Sequence, residues 1–293
     1  MNYQHAFHAG NFADVHKHVV LARILVHLRQ KPAAFRVIDS HAGGGRYDLF
    51  AAEPSRSGEW RDGIERLWIE ALAEQRRDGA DTRIGELLAP YLDVIAACNP
   101  GGSLRTYPGS PLIVQKLLRR QDRLIACELE PKSAARLAAV LRGDRRVKSL
   151  AIDGWTAVGA YVPPKERRGL VLVDPPFEDA ADFLRLSEVL AVAHRKWPSG
   201  MYMLWYPITA REAPDLLARR LRRLGIAKVL RCELTPAPPR GVGLAGSGLI
   251  VVNPPFTLEP DLHILLPALG RMLAPQPAQA RRPPPYRVDW LAP

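Results

Sequence analysis

Apolar and polar positions along this chain alternate between two periods. Residues 14–30, DVHKHVVLARILVHLRQ, place apolar side chains at helical spacing and stop before Pro32, which predicts a helix. A short strand follows in FRVIDSHAGGG, residues 35–45, and runs straight into a glycine-rich turn. Further β-favouring runs occupy 123–131 (RLIACELEP), 147–154 (VKSLAIDG), 169–177 (GLVLVDPPF), 201–208 (MYMLWYPI), 226–234 (IAKVLRCEL) and 249–256 (LIVVNPPF). Helical patterns at 132–142, 179–196 and 210–224 separate several of them. Strands alternating with helices predict an α/β fold with a largely parallel, doubly wound sheet.

One interval breaks the rhythm. Gly43 and Glu128 lie 85 positions apart, whereas a dinucleotide-type fold places its ribose-binding acid about 20 residues past the glycine turn. The excess, roughly 50–105, carries the helical patterns IERLWIEALAEQ and IGELLAPYLDVIAACN and closes on Asn99-Pro100-Gly101-Gly102. It predicts a small helical subdomain inserted into a single domain spanning 1–293. Residues 274–285 are proline-rich and precede YRVDWL, a candidate edge strand.

Composition narrows the class. With 47% apolar residues the chain cannot be disordered. The opening MNYQHAFHAG has no apolar leader core, and no apolar run approaches the roughly 18 residues a membrane span needs. Cys98, Cys127 and Cys232 are far apart, with neither disulfide nor metal-ligand spacing. The expectation is a soluble, unexported, cytoplasmic protein. A formal charge of +11, mostly arginine and densest at Arg219-Arg220-Leu221-Arg222-Arg223, suits a polyanionic partner or simply a solvated helix face.

Two strands, LVLVDPPF and LIVVNPPF, end in an acid or amide, two prolines and an aromatic. Prolines cannot donate to a ladder, so Asp174 and Asn253 sit at strand ends, and the carboxyl edge of an open α/β sheet is where ligands bind. The acids Asp39, Glu128 and Asp153 end earlier strands on that same edge, beside the turn at Gly43. Glu128 is placed to accept from ribose hydroxyls and Asp153 to face an adenine ring, which points to a nucleoside-type cofactor. Any one of these acids alone could instead cap a helix. Position favours Asp174: the fourth strand should flank the crevice, while the last strand should lie near an edge of the sheet. An Asp174 carboxylate and a Pro175 carbonyl, held rigid by Pro175 and Pro176, accept the two hydrogens of an exocyclic amine while Phe177 stacks on the ring bearing it. Pulling that amine out of the ring plane restores the nucleophilic lone pair of adenine N6. NPPF reads as a structural turn.

Six of the eight histidines fall in the first 41 residues: His5, His8, His16, His18, His27 and His41. They lack the HExxH pattern or supporting ligands, so no metal is expected. Lys17, between His16 and His18, is a candidate to approach Asp174.

In order along the chain, HAFHAGNFADVHKH (5–18), IDSHAGGGRY (38–47), YPGSPLI (107–113), ACELEP (126–131), IDGW (152–155), LVLVDPPF (170–177), LWYP (204–207) and GLIVVNPP (248–255) resemble the RlmJ family of 23S ribosomal RNA adenine-N6 methyltransferases. DPP[YF] is shared with many amino methyltransferases; the first and third of these segments are far more specific. The resemblance implies a Rossmann-like class I S-adenosylmethionine-dependent methyltransferase fold with an inserted helical subdomain. It carries cofactor contacts onto His18, His41, Ser110, Glu128, Asp153 and Gly154, catalysis onto Asp174, and places Tyr3 and Lys17 near the target adenine. Phe177 stands where many members have tyrosine, and the proline-rich stretch is longer than usual. The partner implied is 23S ribosomal RNA, met by a monomer with no metal and no membrane. A DNA adenine-N6 methyltransferase is the alternative, disfavoured by the lack of an appended target-recognition domain, and a non-catalytic nucleic-acid-binding module is the third reading, disfavoured by the intact DPPF.

Overall fold

A computed structural model describes residues 5–75, 82–179, 181–236, 243–274 and 285–293. Asn11 opens helix α1 (Phe12–Gln30), its side chain accepting from the Asp14 N–H at 2.9 Å. Strand β1 (Arg36–Asp39) follows, then β2 (Arg46–Asp48), α2 (Ala52–Ser57), α3 (Ile64–Gln75), α4 (Thr82–Cys98) and β3 (Thr106–Pro108), with β2 and β3 forming a separate two-stranded ribbon. Next come α5 (Ser110–Leu117), β4 (Arg123–Cys127), α6 (Pro131–Val140), β5 (Val147–Leu150), α7 (Gly154–Tyr161), β6 (Gly169–Val173), α8 (Asp182–Lys196) and β7 (Met201–Ile208). The chain continues through α9 (Glu212–Arg223), β8 (Val229–Leu234), β9 (Gly246–Val252), α10 (Leu258–Leu273) and β10 (Tyr286–Ala292).

Eight strands form one sheet in the order β10-β8-β9-β7-β6-β1-β4-β5. The run β5-β4-β1-β6-β7 is parallel throughout. Alternation splits each strand between two cores: Leu170 and Leu172 of β6 pack with α1, α4, α5 and α10, while Val171 and Val173 pack with the helices of the other face, α7, α8 and α9. Trp60, Ile64, Ile84 and Leu87, from the long interval after β1, belong to the first of these cores, packed with α1 and α10.

One expectation fails. β9 is not near a sheet edge; it lies between β7 and β8 and is antiparallel to both. Its carboxyl end, Asn253, therefore falls on the edge opposite Asp39, Glu128 and Asp174. A buried apolar run reads the same whichever way the strand points, so the direction was not legible. Of the proline-rich segment, 275–284 lie outside the described residues. Among the described residues no helix is long and apolar enough to cross a membrane.

Candidate active site

Helix α1 is buried nearly all round, yet carries Asp14, His16, Lys17 and His18 into the interior. Buried charges must be paired. Lys17 Nζ bonds Asp14 Oδ1 at 2.8 Å, one helical turn back, and also Asp174 Oδ2 across the site, with Lys17 and Asp14 buried and Asp174 partly so. Burial alone would lower the Lys17 pKa; the two carboxylates outweigh it and hold the ammonium above its ordinary range. Asp14 also accepts from the Gly10 N–H at 2.9 Å, which fixes it beneath the lysine.

Four parallel strand ends supply the rest. Asp39 ends β1 fully buried; it accepts from the Ser110 hydroxyl at 2.7 Å through Oδ2, and its Oδ1 has no hydrogen-bond partner among the described residues. Burial pushes its carboxyl up to about 7. Glu128, after β4, accepts from the Gly43 N–H and the Glu130 N–H, both at 2.8 Å. Gly43 sits at φ +62°, a conformation glycine adopts without the Cβ penalty. Asp153 caps α7 through one oxygen, Oδ2, which accepts from the Thr156 N–H and hydroxyl at 2.8 Å. Gly154 beside it has no room for a side chain: a Cβ would stand 2.2 Å from the Ser40 carbonyl and 2.7 Å from the His41 ring. His41 packs edge-on against Trp155, accepts or donates at 2.8 Å with the Ser40 hydroxyl, and is held neutral by burial, its pKa lowered to about 4.

These groups line two clefts. The first, about 290 Å³, brings together His41, Gly43, Ser110, Glu128, Asp153 and Gly154. The second, about 560 Å³, is walled by Phe177 and Trp205 and reaches His8 and Asn11 on the amino-terminal side. Lys17, Asp174 and Pro176 line both. Pro175 is buried behind them. Phe177 takes φ +52°, rarely adopted by a bulky residue, and packs against Phe183 and edge-on to Trp205.

Other sequence candidates separate. His18 is buried against Tyr107, bonded to its hydroxyl at 2.7 Å, and does not line either cleft. Tyr3 lies outside the described residues. The amino-terminal histidines disperse: His8 bonds Glu59, His16 bonds Ser247, and His27 meets Phe256. Among the described residues no three His, Cys, Asp or Glu side chains converge as a metal site. Asp14 and Trp205 escaped the sequence reading. Asp14 had a signal, lying three residues before Lys17 on one helical face; for Trp205 the one signal was its place in the segment LWYP, since an aromatic in a core strand is ordinarily packing.

Asn253, ending the opposite strand, takes φ +52° as well, but its amide donates to the Pro198 and Gly200 carbonyls at 2.8 Å and it lines neither of the two clefts.

A family model described as ribosomal RNA large subunit methyltransferase D, RlmJ, matches residues 32–291. A Haemophilus influenzae protein named ribosomal RNA large subunit methyltransferase J is 38% identical over 295 residues, covering 100% of this chain and 99% of that one. The Escherichia coli protein of the same name is 39% identical over 276 residues, 94% of this chain and 95% of its own. The crystal structure of a Legionella pneumophila protein superposes with a TM-score of 0.85 at 30% identity, over 97% of this chain and 98% of that one.

Proposed function

Because the chain belongs to the RlmJ family of ribosomal RNA large subunit methyltransferases, we propose that it transfers the methyl group of S-adenosylmethionine to N6 of an adenine in 23S ribosomal RNA. The observation that carries this reading is the meeting of two clefts at Lys17, Asp174 and Pro176. One cleft suits a nucleoside cofactor, the other a base brought out of its stack, as enzymes acting on bases require.

The first cleft fits S-adenosylmethionine on its own chemistry. Glu128 and Asp153 offer acceptors for hydroxyl and amine hydrogens, since a carboxylate oxygen already bonded once can accept again. His41, held neutral, adds no positive charge beside a sulfonium. That cofactor supplies an electrophilic methyl group.

The protein's own residues prepare the nucleophile. Lys17 occupies Asp174 Oδ2, which leaves Oδ1 to accept from the amine. Asp14 shares the lysine, so Asp14, Lys17 and Asp174 together carry one net negative charge next to the nitrogen on which positive charge develops. An interaction that strengthens as charge develops lowers the barrier, whereas uniform binding does not. Phe177 and Trp205 wall the base side, and exclusion of water from these buried contacts strengthens each of them.

Incubation with S-adenosylmethionine labelled at the methyl group tests the proposal in three arms: 23S ribosomal RNA, duplex DNA, or no acceptor. Label recovered as N6-methyladenosine in the RNA is expected. Transfer to DNA alone, or to neither, refutes it.

A further inference from the structure

His16 is a buried titratable group with no part in the chemistry above. His16 lies wholly inside on α1, next to Lys17, with burial lowering its pKa to about 3. Its Nδ1 is 3.0 Å from the Ser247 hydroxyl, and the same hydroxyl is 3.0 Å from Trp205 Nε1. Indole N–H groups only donate, so Ser247 Oγ accepts from Trp205. Ser247 is fully buried, and giving its own proton to His16 Nδ1 leaves no hydrogen bond unmade. His16 must then carry its hydrogen on Nε2, which faces the Cys232 sulfur at 3.8 Å.

What this chain of bonds fixes is the indole. Trp205 sits on the rigid strand β7, half-buried, and it shares with Pro207 the alternate positions that line the second cleft. Its polar edge is turned inward to Ser247. The ring stands perpendicular to Phe177, 72° between planes at 5.6 Å, and lies 5.7 Å from Lys17 Nζ. The two rings make an aromatic corner beside Asp174, and every base has a π-face that such a surface can stack.

We propose that Trp205 is the wall of the second cleft on which the target adenine stacks, and that Ser247 and His16 are positioning residues that lock its ring. The inference rests on the reading that this cleft receives the base. Against it, a Trp confined to packing would tolerate any apolar replacement of similar bulk.

Steady-state methylation of 23S ribosomal RNA by the full chain, with calorimetric titration of S-adenosylmethionine, decides it. Trp205→Leu is expected to lower kcat/KM for the RNA about tenfold or more, the scale of one lost base-stacking contact. Cofactor affinity should stay within about twofold, and Trp205→Phe should recover most of the loss. Ser247→Ala should raise KM for the RNA several-fold, while nitrogen-15 spectra of the unaltered protein show His16 as the Nε2–H tautomer. Trp205→Leu indistinguishable from the unaltered protein, Trp205→Phe as impaired as Trp205→Leu, or His16 protonated on Nδ1 would overturn the proposal. Absence of methyl transfer by the unaltered protein is a different failure, that of the underlying reading.

Discussion

The two strand ends that share a sequence grammar occupy opposite edges of one sheet and do opposite things. DPPF closes a parallel strand, so its aspartate joins the acids of β1 and β4 and the lysine of α1. NPPF closes an antiparallel strand, so its asparagine faces the loop at 198–200 and clips it with two hydrogen bonds. The aromatics differ in the same sense: Phe177 is packed between Phe183 and Trp205, whereas Phe256 is 83% exposed. In the first motif the left-handed residue is a phenylalanine, which pays for the conformation; in the second it is an asparagine, which tolerates it. Strand direction, not the motif, decides which copy meets the clefts.

The largest expected effect breaks this symmetry outright. Asp174→Ala should lower the single-turnover methylation rate on the order of 100-fold or more, with S-adenosylmethionine binding largely kept, because the lost acceptor acts chiefly in the transition state. An active Asp174→Ala enzyme would move the chemistry elsewhere.

A second test asks whether the Asp174 edge also carries the buried charge. Asp39 titrates near 7 when folded and near the ordinary carboxyl value, about 4, when unfolded. Between those values the folded chain holds the extra proton, so the Asp39 contribution to stability falls as pH rises from about 4 to 7 and is level above. Asp39→Asn should remove that slope. Denaturant titrations should show the stability difference between the two proteins shifting by roughly 4 kcal/mol in favour of the variant from pH 4 to pH 8.

Much of this was legible beforehand, and the gaps have physical causes. Asp39, Glu128, Asp153 and Asp174 announce themselves as acids at the ends of apolar runs, and parallel winding brings such ends together. What composition and periodicity could not supply is strand direction, or the meeting of α1 with β7 and β9 that brings His16 to the Ser247–Trp205 pair, 231 positions along the chain from Ser247. Those are long-range contacts with no local signature.

Smaller effects should mark the opposite edge. Asn253→Ala removes two hydrogen bonds and places a Cβ residue without a compensating side chain at φ +52°. Thermal unfolding should register a loss of about 1 to 2 kcal/mol, and methylation by the folded variant should stay within a few-fold. Least of all should come from the arginine run. Helix α9 leaves the carboxyl end of β7 and runs back, so Arg222 and Arg223 lie exposed at the end of the molecule remote from the clefts. Replacing both by glutamine should change affinity for 23S ribosomal RNA less than about twofold in filter binding at fixed salt, because phosphates aligned on the clefts are out of their reach.

The left-handed backbone at Phe177 carries a consequence for how sequences in this family can drift. A side chain held there costs the fold on the order of 1 to 3 kcal/mol, a sum that glycine or asparagine would largely restore. Selection for thermal robustness alone therefore pushes position 177 away from an aromatic. A library of variants ranked by melting temperature should enrich Gly and Asn at this site and, in doing so, gather proteins that are sturdier and have lost the ring beside Asp174.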